Sequence, residues 1–599
     1  MEPFQRVGYP PVFVGKMPDN RSLYFRSYFQ KTFAQEKLPP MSLKIIKKPV
    51  IFACACFLLF FSCNQGRRGP AKTDWEPLPG DPDYPVNISV FSMANIRQPP
   101  ANHRIYKWLQ EKLNVTFTWD ILVGDKDQKI GVMIAGGDYP DLLHVDSPKF
   151  YEAGALIPLD NLVNRYAPRL KAHYADAWEK MREEDGWVYT LPVWGIVTGL
   201  DQTNWYGDSA LWIQKEVLKE FGYPVITTMD QYFDLLIKYK EKYPAINDMP
   251  TIGFTILTHD WRSFCLINPP NFLAGFPNDG NGTIDPETHK YKVFLYQDIS
   301  KRWFKKLNEM NAIGLIDRSC FVDNYDQYLS KISSGRVLGF HDQAWQFQQA
   351  ENSLASQGMQ NRTYAPLPIV FDEGIRPRYR NRRLPNIGQG IAVSVNAADP
   401  VRIIRFLDAQ LDEEVQKVIG YYGFLDQDYH VDYNGQPYRT QLQREQQQDD
   451  IWTLNNHAEL WRSHNPKIDG SFSNGWPTNI ADVFSEREAQ IHPVDRELWA
   501  AYGVRNHAEM MDKDPPPNPV WFPMWQIEPR DGSDAQIAWT KAQDVYRRYL
   551  PRIIMGRPIQ FERLWDEYIE ELNKTGLDKY ERYMQQELDK RIERWSPRN

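Results

Sequence analysis

Asp342-Gln-Ala-Trp345 sets a carboxylate three residues from an indole, directly after the apolar run Arg336-Val-Leu-Gly-Phe-His. A flat aromatic face with an oxygen acceptor beside it is the chemistry that holds a ring with an apolar C–H face and a rim of hydroxyls, such as a sugar. The other reading of an aromatic at a strand end is packing into the core. Trp205, Trp261 and Trp476 each fall in a polar, irregular stretch and carry the same two readings. Asp146 and Ser147 follow the short apolar run Asp141-Leu-Leu-His-Val. In open α/β sheets ligands collect beyond the carboxyl ends of the strands, so Asp146-Ser147-Pro148 is a candidate site wall. Alternatively, Asp146 caps the helix that follows.

Motifs for bond-breaking chemistry are missing. The sequence contains no GxSxG, no HExxH and no phosphate-binding glycine loop, so it also lacks the means to power transport with nucleotide. Asp566-Glu567 and Glu570-Glu571 lie on an amphipathic helical pattern at solvent spacing and read as a solvated face. The five cysteines, at 54, 56, 63, 265 and 320, form no zinc pattern, and a pairing of Cys265 with Cys320 is left open. Asn278-Asp-Gly-Asn-Gly-Thr-Ile-Asp misses the EF-hand ligand spacing and its closing Glu, and reads as a hairpin turn. No metal and no cofactor are expected. A net charge of -7 with no basic stripe argues against nucleic acid as a partner.

The elements that must carry these residues alternate. Val86-Asn-Ile-Ser-Val-Phe is a strand, Arg104 to Leu113 a helix with Ile105, Trp108 and Leu109 at three- and four-residue steps, and Val115 to Leu122 a second strand. A helix over Gln128 to Ala135 stops at Gly136-Gly137, before a strand at Asp141 to Asp146. Such alternation means βαβ units and an α/β fold. Ala210 to Phe221 and Met229 to Tyr243 read as helices, as do Ser300 to Ala312, Tyr325 to Ser333 and Phe561 to Leu572, with a charged helix to about Trp595. A chain of 599 residues, 42% hydrophobic, is long enough for two or more lobes.

The N-terminal region has a different grammar. Met41-Ser-Leu-Lys-Ile-Ile-Lys-Lys is basic, and Val50-Ile-Phe-Ala-Cys-Ala-Cys-Phe-Leu-Leu-Phe-Phe is an uncharged run too short to span a bilayer core of about 20 residues. That is a secretory leader, residues 41–62, with Met41 read as the start and 1–40 as an upstream mis-translated extension. Phe60-Phe61-Ser62-Cys63 resembles a bacterial lipobox with Phe60 in place of the usual Leu, which makes Cys63 the candidate lipidation site. Asn64 to Pro85, rich in Gly, Pro and charge, reads as a flexible tether over 63–85.

Three segments in order resemble the large extracellular solute-binding protein family that includes the maltose-binding proteins, in particular its longer carbohydrate-binding lipoproteins. They are Ala135-Gly-Gly-Asp-Tyr-Pro-Asp-Leu-Leu-His-Val-Asp with Gly154-Ala-Leu-Ile-Pro-Leu-Asp; Ser334-Gly-Arg-Val-Leu-Gly-Phe-His-Asp-Gln-Ala-Trp; and Ile387-Gly-Gln-Gly-Ile-Ala-Val-Ser-Val-Asn. The tail Trp565-Asp-Glu-Tyr-Ile-Glu-Glu-Leu-Asn-Lys-Thr-Gly-Leu looks like the closing helices of the longer members. The resemblance implies a two-lobed periplasmic-binding-protein-like α/β fold, each lobe a βαβ sheet with flanking helices, and a cleft between. Lobe I is expected at 86–193 and 386–425, and lobe II at 194–385 and 426–599. It implies a monomer anchored by lipid on the outer side of a bacterial membrane, which hands a carbohydrate to an ABC permease with a separate ATPase. Asp146 and Ser147 fall where the family hydrogen-bonds sugar hydroxyls, Trp345 where it stacks an aromatic, and Trp194 near the first crossover. Its usual Gly-Pro-Trp is altered here, which makes Asp342 a candidate hydroxyl acceptor. An oligopeptide-type binding lipoprotein and a secreted glycoside hydrolase are the two other readings.

Overall fold

The computed structural model describes residues 72–94, 96–201 and 205–596; the extension 1–40, the leader 41–62 and Cys63 lie outside them. Val86–Ser92 and Val115–Ile121 pair in parallel over seven residues, with helix Arg104–Leu113 packed between them in sequence. His103 Nδ1 accepts the Ile105 N–H at the helix start, and Asn114, left-handed at φ 54°, turns the chain straight into the next strand. Leu142–Val145 adds in parallel on the other side of Val86–Ser92. Gly390–Val393 returns from far along the chain to pair antiparallel with both Leu142–Val145 and Thr190–Pro192. One face of this five-stranded sheet packs Ile88, Val90, Leu142 and Leu191 against Leu109, Leu170, Ile404 and Leu407. The other packs Phe91 and Leu143 against Phe150. Each fully buried side chain of this kind contributes about 1.5–3 kcal/mol of transfer free energy.

The second sheet is ordered Tyr364–Leu367, Ser209–Gln214, Val337–Gln343, Ile252–Phe254. Its central strand corrects the sequence expectation. Ala210 to Phe221 is not one helix but the strand Ser209–Gln214 followed by the helix Lys215–Glu220. All six strand residues are buried, and a continuous apolar run of that length has no period by which a helix could be told from a doubly covered strand. Met229–Lys242 and Tyr325–Ser333 form as expected, each opened by a reciprocal capping box, Thr228 with Gln231 and Asn324 with Gln327.

Three other expectations change. The stretch 426–599, assigned whole to lobe II, divides: Ala458 and Trp461 join the core of the first sheet, whereas Trp521, Tyr546, Tyr568 and Leu588 join that of the second. From Asp74 the supposed tether is seated. Trp75 packs partly buried on the first core, its carbonyl accepts the Tyr166 hydroxyl at 3.1 Å, Glu76 pairs with Arg165 at 2.9 Å, and Tyr84 donates to Asp399 at 2.8 Å. Two aromatics suffice to dock a stretch that has no period of its own. Finally, the hairpin near residue 280 joins Gly282–Ile284 to Tyr291–Val293, so its turn lies beyond Asp285, and Asp279 is buried and accepts the Met524 N–H.

The two sheets are joined edge to edge. Val145, Gly390 and Pro192 lie side by side at one edge of the first sheet, and Ser209, Gln343 and Leu211 with its partner Leu367 at one edge of the second. The connections 193–208 and 368–389 run between these edges.

Candidate functional site

At the second-sheet edge the strand Val337–Gln343 runs directly into helix Ala344–Ser356. Trp345, in the first turn, is 49% exposed, and its indole N–H donates to Gln343 Oε1 at 2.6 Å. Trp261, 56% exposed, lies nearly parallel to it, 13° apart with ring centroids at 6.0 Å, and continues onto Phe264 at 5.9 Å. The Arg262 guanidinium covers Trp261 and Tyr325, at 4.6 and 4.2 Å from the ring centroids. Trp205 stands beside this group, because Ala344 N–H donates to the Gly207 carbonyl and the Trp205 ring lies against Gly207, where a Cβ would come within 2.2 Å of it. A side chain at 207 would displace the Trp205 ring. Two half-exposed indoles, Trp261 and Trp345, thus meet from separate segments, and Trp205 is half exposed on Gly207.

Asp342 does not join them. The strand extends two residues further than the apolar run indicates, and it carries Asp342 into the interior at 0% exposure. Its carboxylate accepts from the Tyr328 hydroxyl, the Gln343 N–H, the Cys265 thiol and the Gln346 amide. Burial pushes its pKa up to about 6 against the pull of those donors. It fastens the turn that presents Trp345 and does not face the cleft.

At the first-sheet edge Asp146 follows Val145 and binds Lys126 at 2.9 Å through Oδ2, while Oδ1 is buried with no hydrogen-bond partner. It caps nothing: Pro148 occupies the N-cap of the next helix. Burial works against the Lys126 charge, yet Asp146 and Glu528 hold its ammonium above the usual lysine range. Ser147 is buried. Beside them His144 meets His464 edge to face at 4.7 Å, and the Gln389 amide lies 3.1 Å from His144 Nε2. Burial lowers the two imidazoles to about 4 and about 3, so both are neutral near pH 7. Gln526 donates to Asn386 in the second connection, and Arg530 pairs with Glu152 and Glu184, which ties the C-terminal region to the first lobe. Trp194, 40% exposed, stands two residues beyond Pro192 with Lys467 Nζ over its ring at 3.2 Å.

No protein-family model matches the chain. Among curated proteins it is 22% identical over 355 residues to the fructooligosaccharide ABC transporter substrate-binding protein FusA of Streptococcus pneumoniae, and the match spans 55% of this chain and 62% of that relative. The solved structure of FusA with kestose superposes with a TM-score of 0.57 at 18% identity, covering 84% of this chain and 99% of FusA. An "HMO binding" ABC-transporter-associated solute-binding protein of Bifidobacterium longum infantis gives 0.59 at 17%, over 84% and 99%. The alginate-binding protein AlgQ2 gives 0.57 at 17%, over 85% and 98%. The chain has the solute-binding-protein fold. In that fold Trp261 and Trp345 stack where the second sheet's strand Val337–Gln343 ends, and Asp146 and Trp194 follow strands Leu142–Val145 and Thr190–Pro192 of the first.

Trp476 packs in a different cluster from Trp261 and Trp345. It stacks on Tyr422 at 10° and 5.9 Å and donates to the Gly435 carbonyl at 3.0 Å, inside a small satellite core with Tyr429 and Phe472. A surface hollow of about 560 Å³ on helices Gln441–Gln447 and Asp450–Asn456, lined by Glu445, Asp449 and Trp452, contains none of the candidates. Sequence reasoning missed Lys126, His144, Gln389, Asn386, Gln526 and Lys467; only His144, one step before Asp146 in a buried strand, carried a local signal. Among the described residues no His, Cys, Asp or Glu group is arranged to hold a metal, Cys265 and Cys320 are both free and buried, and no helix is long and apolar enough to cross a membrane.

Proposed function

We propose that this protein is the extracytoplasmic substrate-binding component of an ABC importer, that its ligand is an oligosaccharide, and that it captures and releases that ligand unchanged. The observation that carries this reading is the pair of near-parallel, half-exposed indoles Trp261 and Trp345 where a strand of the second sheet ends. Flat apolar faces on one wall and Asp146, Gln389 and Asn386 on the other match the C–H face and hydroxyl rim of a sugar. FusA, the HMO-binding protein and AlgQ2 support the ligand class. In this reading residues 41–62 are a leader, Cys63 carries lipid, and a monomer docks on permease subunits whose ATPase is a separate chain. The lobes take the boundaries 86–193 with 386–425 and 194–385 with the C-terminal helices, to which the packing of Ala458 and Trp461 adds that stretch to lobe I. Closure follows from ligand bridging both walls, since only a ligand that binds the closed form better shifts the equilibrium toward it.

Titration calorimetry of the chain lacking the leader against kestose, alginate oligosaccharides and human-milk oligosaccharides tests the reading. Binding is expected for at least one, with Trp345→Ala and Trp194→Ala each weakening it about ten-fold, the worth of one lost stacking contact. Heat with peptides and none with any glycan, or glycan turnover abolished by a single carboxylate change, would sink it.

A further inference from the structure

Trp194 is gripped by a segment far along the chain. Lys467 Nζ lies 3.2 Å from the centroid of its indole and donates to the Arg462 carbonyl at 2.7 Å, and the lysine is 7% exposed. Two residues on, Asp469 Oδ2 accepts the Gly195 N–H at 2.8 Å, and Asp469–Gly470 pairs in parallel with Val197–Thr198. The second connection closes from another side. Asn386 N–H donates to the Trp194 carbonyl at 3.1 Å, and Gly195, at φ 81°, packs so closely that a Cβ would sit 2.1 Å from the Leu384 carbonyl oxygen. The backbone on either side of Trp194 is therefore fixed by both connections and by the 467–470 segment, and one indole face is occupied while the ring keeps 40% of its surface open.

Burying an ammonium is costly unless its partners restore what water supplied. A methionine would cover the same ring face without that cost, so packing alone does not account for a lysine here. Burial and the nearby Arg462 pull the Lys467 amine well below the usual lysine range while Asp469 opposes that shift; what methionine cannot supply is the contact itself, an N–H donor seated over the indole and anchored to the Arg462 carbonyl, whose charged form the π-cloud favours.

We propose that Lys467 is a positioning residue of the ligand site: its ammonium clamps one face of Trp194, leaving the opposite face as the stacking surface, and couples that surface to the junction of the two connections between the lobes. The inference rests on the reading of Trp194 as a ligand contact. A ligand that presses on the free face then loads the segment where the hinge strands meet.

The test uses calorimetry with kestose and alginate oligosaccharides on the chain lacking the leader, together with acrylamide quenching of the Trp194 emission, isolated as the difference from a Trp194→Phe background. Lys467→Met is expected to weaken glycan binding about ten-fold. It should also raise the quenching of Trp194 in the free protein, while Lys467→Arg restores affinity to within about three-fold because it keeps a cation over the ring. Lys467→Gln serves as the neutral variant should the methionine protein fail to fold. Lys467→Met at wild-type affinity while Trp194→Ala is weak overturns the inference and leaves the glycan reading standing. Equal losses in the Met and Arg variants also overturn it, since shape and not charge would then be at work. A wild-type protein that binds no glycan in the panel overturns the glycan reading and this inference with it.

Discussion

At the second-sheet edge the aromatics hold one another: Trp345 lies along Trp261, Trp261 along Phe264, and Asp342 pins the turn beneath from inside the core. At the first-sheet edge the single indole, Trp194, is held by a cation and a carboxylate that arrive from the 467–470 segment, and its neighbours are buried imidazoles and the Lys126–Asp146 pair. One group is held by ring stacking between the 261–264 and 344–345 segments, over a buried carboxylate. The other is assembled from three distant segments and moves only if the connections between the lobes move. The contrast is between indoles held by one another and an indole held by the segments that connect the two sheets.

The sharpest way to break that contrast is at Gly195. Gly195→Ala should cost about 3 kcal/mol or more, because it adds a side chain at positive φ and drives a Cβ into the Leu384 carbonyl. Urea denaturation followed by far-UV circular dichroism reads this. A neutral outcome would mean that the junction yields easily and that the first wall is not tied to the connections.

Next in size is a difference in the response to pH. Asp342 has its pKa raised to about 6 from 3.8, so its contribution is full below the ordinary value and is lost as pH rises through about 6. Relative to Asp342→Asn, the wild type should lose about 2 kcal/mol between pH 4 and pH 7. His464 is lowered from 6.5 to about 3, so its contribution is present above 6.5 and lost as pH falls toward 3. Relative to His464→Gln, the wild type should lose stability over that acid range. Paired unfolding curves of the four combinations of protein and pH in each set decide both signs, and the same sign at both edges would erase the distinction. Smallest is Lys126→Met. Its pair with Asp146 is partly exposed, 39% and 26% on the two side chains, so stability should change by only about 0.5 kcal/mol.

Sequence alone made the first lobe legible where local rules decide. The βαβ start is written in Val86 to Leu122 by period and caps, and Tyr325–Ser333 appears within its predicted bounds. Asp146 and Trp345 were read from strand ends and do follow strands Leu142–Val145 and Val337–Gln343, and Trp345, Trp261 and Trp205 are about half exposed. What failed was decided by burial that no local pattern reports. Ser209–Gln214 is apolar enough for a helix and becomes a strand because sheet neighbours cover it on both sides. Asp342 looked like a surface acceptor because it is an aspartate after an apolar run, and two further residues of strand pairing took it inside. Trp476 fell in a polar stretch, yet Tyr422 claimed its ring. Lys467 was invisible for a simpler reason: nothing between Trp194 and Lys467 in the sequence indicates that they meet.

The docking of Trp75 and Tyr84 on the first lobe bears on where a recombinant fragment should be cut. A version begun at Val86, where regular structure starts, would remove the Trp75 carbonyl that accepts the Tyr166 hydroxyl and the Tyr84 phenol that donates to Asp399, and leave Arg165 without its acid. Keeping the fourteen or so residues before that strand preserves this clasp, and any affinity handle belongs upstream of Lys72.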